Sequence, residues 1–277
     1  MVTTGRLRAV LVALTVLGGT LLGGLGPEAA PAQAAPARLV GNDISWPNCP
    51  KGMGIKSRRS EGQPMPHTAA KFVVIGLTNG PGFYPNPCLA DQVAFAKNRH
   101  LWTGAYAMTT YPTRSQVTLY GRKGPYKGSS TITKLRNAGF AQAQFNVVNM
   151  RAAGLHAPMV WVDVEPYRVA PWSRSKPANR AVLQGVLLGY QRAGLKVGFY
   201  STPYLWRSIV GDVRHNLPEW RATGHSNQAT AARACSSQSI QGGRAVLGQW
   251  VYQNRDWNVT CPGYNKSSLM RGYFRKY

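Results

Sequence analysis

The sequence predicts an α/β fold, an irregular (β/α) barrel of the TIM type, and three observations lead to this prediction. Predicted strands such as residues 71–78 are apolar on both faces, as parallel strands covered on both sides are. Nearly the same join from helix through glycine to strand occurs at residues 151–155 and 191–195. Residues 39–277 contain no linker, so one domain accounts for them. A closed barrel explains these features, because side chains fill its interior and helices cover its outside. A doubly wound open sheet is the alternative, although the Gly-x-Gly-x-x-Gly dinucleotide fingerprint is absent from the sequence.

The predicted elements alternate along the first two thirds of the chain. Strands are predicted at 39–45, 71–78, 101–109, 159–166 and 196–202, with weaker ones at 219–223 and 247–254. Helices are predicted at 89–99, at 133–153 and from residue 178, and long loops at 46–70 and 111–130. Helices therefore separate most of the early strands and become fewer towards the end.

Residues 1–34 are typical of a secretory signal peptide, followed by a short linker at 35–38 and a single domain at 39–277. Arg6 and Arg8 precede an apolar core at 9–25, and Ala32-Gln33-Ala34 provides a small-x-small cleavage site. An uncleaved anchor is the alternative, but four glycines interrupt a core that is short for a spanning helix. We therefore expect a secreted, extracellular protein without stable membrane insertion after cleavage.

The charge balance is strongly basic. The chain has 33 Lys and Arg against 9 Asp and Glu, a net charge of +24. Such an excess indicates an anionic partner or surface, and nucleic acid, acidic wall polymers and membrane headgroups are candidates. The basic residues are scattered and no nucleic-acid-binding motif accompanies them. We therefore expect a solvated basic surface rather than a nucleic-acid groove, no specific nucleic acid, and a monomer, with anionic wall polymers among the candidate partners.

Four cysteines in an exported chain predict two disulfides. Three connectivities are open, and proximity in sequence favours Cys49–Cys88 and Cys235–Cys261. The sequence has no Cys-x-x-Cys, and its five histidines are isolated from one another and from the cysteines. We expect neither a metal nor a cofactor.

The catalytic prediction rests on two carboxylates at the end of the strand at 159–166. Trp161, Asp163 and Glu165 share one face of that strand, because side chains alternate along it. Repulsion and burial hold one carboxyl protonated near neutral pH, which makes a general acid. A pair of carboxyl groups suits glycoside hydrolysis, but strand spacing does not decide between retention and inversion. A divalent-cation site is the alternative, disfavoured because Asp-x-Glu on a strand lacks the loop flexibility of calcium sites.

Further polar and aromatic residues are predicted at the same mouth. Active sites of barrels form at the carboxyl ends of strands, where Asp43, Asn79 and Asp256 also lie. Flat rings pack against sugar faces, although each ring alone is as readily explained as part of the core. The predicted substrate-binding residues are Trp46, Asn79, Tyr106, Trp161, Trp172, Tyr200 and Trp250.

These residues resemble a known family across most of residues 39–277. The matching segments are Gly41-Asn42-Asp43-Ile44-Ser45, Gly104-Ala105-Tyr106, Asp163-Val164-Glu165, Tyr200-Ser201 and Asp256-Trp257-Asn258. In this pattern the chain resembles the family 25 glycoside hydrolases, lysozymes that cleave the β-1,4 bond between N-acetylmuramic acid and N-acetylglucosamine in peptidoglycan. The resemblance implies a barrel with five β/α units and three further strands.

The same resemblance implies roles for the acids. Glu165 would be the general acid, and Asp163 would orient the substrate acetamido group as internal nucleophile. Asp43 and Asp256 would complete the acidic cleft. The chain departs from the family pattern at Trp46-Pro47-Asn48-Cys49, at Gly76-Leu77-Thr78-Asn79-Gly80 and at Ala107. A catalytically silent barrel that binds glycan or cell wall is therefore the alternative function.

Overall fold

The structure, a computed structural model, describes residues 38–237 and 239–277. The predicted signal peptide at 1–34 and most of the predicted linker lie outside these residues. Among the helices of the described ranges, none combines the length and apolar character needed to cross a bilayer.

Eight strands close into a barrel in chain order, which confirms the predicted irregular α/β barrel. The first seven strands run parallel, and the eighth pairs antiparallel with the seventh and the first. The strands are β1 Val40–Ile44, β2 Phe72–Gly76, β3 Trp102–Met108, β4 Met159–Asp163, β5 Lys196–Ser201, β6 Glu219–His225, β7 Ala245–Tyr252 and β8 Arg255–Thr260.

Seven helices lie between or after these strands in the described ranges. They are α1 Leu89–Asn98, α2 Arg114–Tyr120, α3 Thr131–Ala152, α4 Lys176–Arg192, α5 Pro203–Ile209, α6 Gln228–Ala234 and α7 Lys266–Tyr273, with a short 3₁₀ helix at Trp46–Asn48. Helices α3 and α4 approach closely at Gly139 and Gly185, where a Cβ would collide with Val182 and Arg136 of the facing helix.

Two local differences from the predicted elements have clear causes. Helix α2 lies inside the predicted loop at 111–130, where the Thr113 side chain accepts a hydrogen bond from the backbone N–H of Gln116 and caps the helix. The predicted strand at 247–254 overruns a tight turn, because Gln253 and Asn254 have φ of 50° and 54°. That turn reverses the chain into β8, as in two-residue hairpins.

The barrel interior is filled with side chains, and helix α7 closes its amino-terminal end. The Phe274 ring lies 5.0 Å from Phe72 between ring centroids, and Tyr273 stacks on Trp161 at 6.0 Å. Gly198 of β5 faces Trp161 so closely that a Cβ there would collide with its indole. The outward side chains, including Val160 and Val162 of β4, belong to a separate apolar layer under the helices.

Both predicted disulfides form. Cys49–Cys88 fixes the loop after β1 to the start of α1, with a Cα–Cα distance of 5.6 Å. Cys235–Cys261 fixes the end of α6 to the segment after β8, with a Cα–Cα distance of 5.5 Å. The preferred connectivity is therefore confirmed.

Candidate active site

The structure brings all four predicted acids together at the carboxyl ends of the parallel strands. Asp43, Asp163, Glu165 and Asp256 line one cavity of about 390 Å³, called here the acidic cavity. The rest of its lining comprises Tyr106, Tyr200, Thr202, Leu205, Trp220, Ala222, Gly224, Gln249 and Val251. Four of the chain's nine acidic residues thus meet at one mouth of the barrel.

Asp43 is held in place by two amides, one from the adjacent strand β8 and one from β7. Asn258 Nδ2 donates to Oδ1 of Asp43 at 2.6 Å, and Gln249 Nε2 donates to both carboxyl oxygens at 3.1 and 3.2 Å. Burial, and next the nearby charge of Asp256, raise the pKa of Asp43 well above its ordinary value, against the effect of these hydrogen bonds. The carboxyl group therefore has a fixed orientation.

Asp163 ends β4 and is almost completely buried, with 2% of its surface exposed. The backbone around it is fixed on both sides, because Thr109 N donates to Asp163 O and Val164 N donates to Tyr200 O, each at 3.0 Å. Its Oδ1 atom is buried without a hydrogen-bond partner in the protein. Burial, then the charges of Glu165 and Asp43, raise the pKa of Asp163. Asp163 thus lines the acidic cavity with one carboxyl oxygen that no protein donor occupies.

Glu165 lies two residues beyond the strand, in the loop that follows β4. The indole Nε1 of Trp172 donates to the backbone oxygen of Glu165 at 2.9 Å, which anchors this loop position. Burial, and next the charge of Asp256, raise the pKa of Glu165 to about 7. At neutral pH this carboxyl group is therefore about half protonated and can both donate and accept a proton.

Asp256 lies directly opposite Asp43 in the antiparallel pairing of β1 with β8. Burial raises the pKa of Asp256 to about 6, and the neighbouring His225 counteracts part of this rise. The two acids therefore form one wall of the cavity, because β8 returns antiparallel beside β1.

Two of the predicted aromatic residues line the acidic cavity. Tyr106 and Tyr200 both pack edge-on against Trp220, with centroid distances of 5.8 and 4.7 Å. The Tyr200 hydroxyl donates to Gln249 Oε1 at 2.8 Å, so the amide that orients Asp43 is itself oriented. Together with Trp220, these rings line the acidic cavity beside the four carboxyl groups.

The other five predicted substrate-binding residues lie outside the lining of the acidic cavity. Trp161 is fully buried in the layer below the acids and packs on Tyr273 and Trp220, so a sugar does not reach it. Trp250 points outward from β7 and stacks on Trp257 at 5.8 Å. Trp46 lies in the 3₁₀ helix after β1, outside the cavity lining.

Asn79 and Trp172 have other contacts. Asn79 is buried; its Oδ1 accepts from Ile55 N at 2.7 Å and its Nδ2 donates to Arg58 O at 3.2 Å. It therefore fixes the loop after the 3₁₀ helix rather than facing the acidic cavity. Trp172 acts on the site only through its hydrogen bond to the Glu165 backbone.

Several residues of the site were not among the predicted ones, and three of them support the acids and the tyrosines. Gln249 and Asn258 orient Asp43, and Trp220 supports both tyrosines while donating from Nε1 to Asn258 Oδ1 at 2.7 Å. A polar glutamine within the apolar run of β7 was the available signal for Gln249. Within residues 38–237 and 239–277, no group of three or more His, Cys, Asp or Glu side chains is arranged to hold a metal ion.

Comparison with known proteins agrees with this geometry. The family described as Lysozyme-like protein 1 matches residues 130–233, a stretch that includes Asp163 and Glu165. A bacterial lysozyme from Streptomyces coelicolor superposes with a TM-score of 0.53 at 16% identity, covering 86% of this chain and 98% of that one. The chain has the fold of the family 25 lysozymes. A family GH25 lysozyme from Aspergillus fumigatus gives the same TM-score of 0.53 at 15% identity, covering 86% and 99% of the two chains.

Sequence relatives confirm the resemblance to the family 25 lysozymes, and their low coverage shows that this chain is divergent. A probable GH family 25 lysozyme 4 from Dictyostelium discoideum is 33% identical over 66 residues, covering 23% of this chain and 30% of that protein. A lysozyme-like protein 5 from Caenorhabditis elegans is 30% identical over 70 residues, covering 25% and 31%. The chain thus spans about a third of the length of the curated relatives it matches.

Proposed function

We propose that this chain is a secreted glycoside hydrolase that cleaves β-1,4 glycosidic bonds of peptidoglycan, in the manner of an N-acetylmuramidase. The observation that carries the proposal is the set of four carboxyl groups around one cavity, in which Glu165 has a pKa of about 7. Cleavage of a glycosidic bond needs one group that is protonated at working pH and another that assists at the sugar carbon. The fold of the family 25 lysozymes and the lysozyme-like match at residues 130–233 support the same class of reaction.

Glu165 is the proposed general acid. Its proton passes to the glycosidic oxygen as the bond from that oxygen to the sugar C1 atom breaks. The oxygen of the acetamido group on the same sugar attacks C1 as internal nucleophile, while Asp163 accepts a hydrogen bond from the acetamido N–H. The partnerless Oδ1 of Asp163 supports this role, because it is an unoccupied acceptor on a residue that lines the acidic cavity. Water then attacks C1, gives its proton to the Glu165 carboxylate, and restores the acetamido group.

Asp43 and Asp256 have an electrostatic role in this proposal. Positive charge develops on the sugar ring in the transition state, and nearby carboxylates stabilise it most strongly where water is excluded. Asp256 also raises the pKa of Glu165, which increases the fraction of that group that is protonated at neutral pH. Both acids would thus stabilise the charge on the sugar, and Asp256 would also raise the pKa of the proton donor.

Secretion and wall attachment complete the proposal. Residues 1–34 act as a signal peptide that is removed after Ala34, which N-terminal sequencing of the exported protein tests directly. Without Arg6, Arg8 and Glu28 the mature protein keeps a net charge of +23, which holds it on anionic wall polymers. Its binding to intact walls should weaken sharply as salt increases from low to physiological concentration, because screening shortens the reach of surface charges.

The central experiment compares residues 35–277 with two variants on purified peptidoglycan. Turbidity loss and new reducing ends should appear for the unmodified protein and disappear for Glu165→Gln. Glu61→Gln is the matched control, because Glu61 is an exposed carboxyl group distant in sequence from the acidic cavity lining. Mass spectrometry of the products identifies the bond that is cleaved. No activity on several types of wall would refute hydrolysis.

One outcome of the same experiment selects the alternative function, a silent glycan-binding barrel. Saturable binding of wall fragments that survives Glu165→Gln, without any released product, would show that the barrel recognises glycan and does not cleave it. The position of Asn79 supports this alternative. Its side chain binds the loop at residues 55 and 58 and does not line the acidic cavity.

A further inference from the structure

A second cavity lies at the opposite end of the barrel from the acids. It has a volume of about 760 Å³ and is called here the basic cavity. It opens at the amino-terminal ends of β1, β2 and β3, where Leu39, Lys71 and Trp102 stand next to the start of helix α7. None of the residues that line the acidic cavity lines this one.

Every titratable side chain in its lining is basic. These side chains are Lys71, Arg99, His100, Lys266 and Lys276. Asn265, Lys266 and Ser267 at the start of α7 also line it, so the positive end of the helix dipole adds to the same field. Lysine and arginine groups converging on one concavity are the usual partners of phosphate oxygens.

Hydrogen bonds fix the backbone beside the basic cavity, and the exposed lysines Lys71, Lys266 and Lys276 extend from it. The Arg99 guanidinium donates to the backbone oxygens of Pro66, His67 and Thr68, at 2.9 to 3.2 Å. Reciprocal backbone hydrogen bonds between Thr103 and Arg275, at 2.7 and 2.9 Å, hold the C-terminal tail against β3. The backbone that carries the lysines is therefore fixed, and the Arg99 guanidinium adds positive charge while its terminal nitrogens bind the protein's own backbone oxygens.

The tail attachment also positions a lysine over an aromatic ring. Lys276 Nζ lies 5.9 Å from the centroid of the Trp102 ring, and both residues line the cavity. Leu39, Ala70, Leu101 and Met270 provide apolar surface beside them. An indole face beside basic groups suits a ligand that alternates carbon-rich segments with anions, since flat rings pack on the C–H faces of sugars and polyols.

We propose that the basic cavity binds a phosphodiester-linked polymer of sugar or polyol units, as a wall-anchoring site separate from the acidic cavity. The choice of a wall polymer, rather than another polyanion, rests on the proposed function. Anchoring through the amino-terminal end of the barrel leaves the acidic cavity at the other end free for glycan. Attachment and hydrolysis then proceed on one molecule without competition.

The test measures binding of a purified phosphodiester-linked polyol wall polymer to residues 35–277 carrying Glu165→Gln, so that hydrolysis does not interfere. The site variant combines Lys71→Gln, Lys266→Gln and Lys276→Gln. The matched control combines Arg114→Gln, Lys123→Gln and Lys127→Gln, which removes the same charge from exposed positions elsewhere. We expect about tenfold weaker binding for the site variant, on the scale of several exposed ion pairs, and a much smaller loss for the control.

A local signal confirms where the polymer binds. Its addition should shift the indole N–H resonance of Trp102, and Trp102→Phe identifies that resonance among the eight tryptophans. Equal weakening by the two triple variants, or an unchanged Trp102 resonance, would overturn the inference, because general surface charge would then explain the binding. Single-stranded DNA of equal charge that binds as tightly and shifts Trp102 equally would overturn the assignment to a wall polymer.

Failure of this inference is distinguishable from failure of the proposed function. The site variant without Glu165→Gln should hydrolyse wall fragments free of the phosphodiester polymer at the unmodified rate. A protein that hydrolyses these fragments but does not bind the polymer refutes only the inference. A protein that binds the polymer through the basic cavity and never hydrolyses glycan refutes only the proposed function.

Discussion

Replacement of Asp256 by Asn tests the electrostatic coupling between the carboxyl groups of the acidic cavity. Burial is the larger of the two causes that raise the pKa of Glu165 from 4.5 to about 7, and the charge of Asp256 is the second. Asp256 therefore accounts for less than half of the rise, and its removal should lower the pKa of Glu165 by at most about one pH unit. Since the general acid must be protonated, activity should then fall at a lower pH.

The size of the effect follows from the protonated fraction of Glu165. If its pKa falls by a full unit, the protonated fraction falls about eightfold at pH 7.5 and by only about a tenth at pH 5. The measurement is the pH profile of kcat/KM on a soluble peptidoglycan fragment, which reports the groups of the free enzyme. Asp212→Asn is the control, because Asp212 is exposed and does not line the acidic cavity.

The pattern across pH decides the outcome. A loss by the same factor at pH 5 and pH 7.5 would mean that Asp256 acts by contact with the sugar and not through the proton of Glu165. An alkaline limb that stays in place or moves to higher pH would refute the coupling altogether. A titration of the Glu165 side-chain carboxyl carbon by NMR gives the same pKa without any need for turnover.

Three further predictions concern stability. Because the folded-state pKa of Glu165 is raised to about 7, its stabilising contribution is present below about pH 4.5 and is lost as pH rises through 7. Glu165→Gln should therefore raise the melting temperature at pH 8.5 and not at pH 4.5, with a gain of up to about 3 kcal/mol in the free energy of unfolding; an equal change at both pH values would contradict this. Gly198→Ala should cost about 1 to 3 kcal/mol in urea unfolding, because its Cβ collides with Trp161, whereas Gly272→Ala, with open space at its Cβ, should cost nothing. Replacement of both cysteines of the Cys235–Cys261 disulfide by Ser should cost about 3 kcal/mol in the same assay, given its sequence separation of 26, and a loss below about 1 kcal/mol would show that the unfolded chain is little constrained by it.

The strands that the sequence predicts well are the ones buried on both faces. All five residues of β2 and of β4 are buried, so an unbroken apolar run was sufficient to identify them. β8 is different, because Arg255, Asp256 and Trp257 are partly exposed and its sequence RDWNVT has no apolar run. β8 forms because it pairs with β7 on one edge and with β1 on the other. This tertiary effect cannot be predicted from the local sequence pattern.

The acids of the site were predictable and most of the tryptophans were not. Carboxylates are scarce in this chain, so two of them at the end of an apolar strand were already unusual. Alternation along a strand tells which side chains point into a barrel, but it does not tell which layer they occupy. Trp161 and Asp163 point the same way, yet the indole lies in the layer below and the carboxyl group lines the cavity. The amides that orient Asp43 come from β7 and β8, which only closure of the barrel brings beside it.

The barrel closes through pairing of its first strand with its last, and this affects how the chain folds during the proposed export. β1, which begins at Val40, pairs with β8, and the end that α7 plugs is filled by Phe274, three residues from the last residue of the chain. The ring closes only when β8 pairs with β1, and a contact between them such as the hydrogen bond from Asn42 to Asp256 joins residues 214 apart in sequence. Contacts of such long sequence separation form slowly. Slow closure would keep the chain open for longer, which is the state that the proposed export requires. The proposed secretion would place this closure outside the membrane, where the two disulfides can also form.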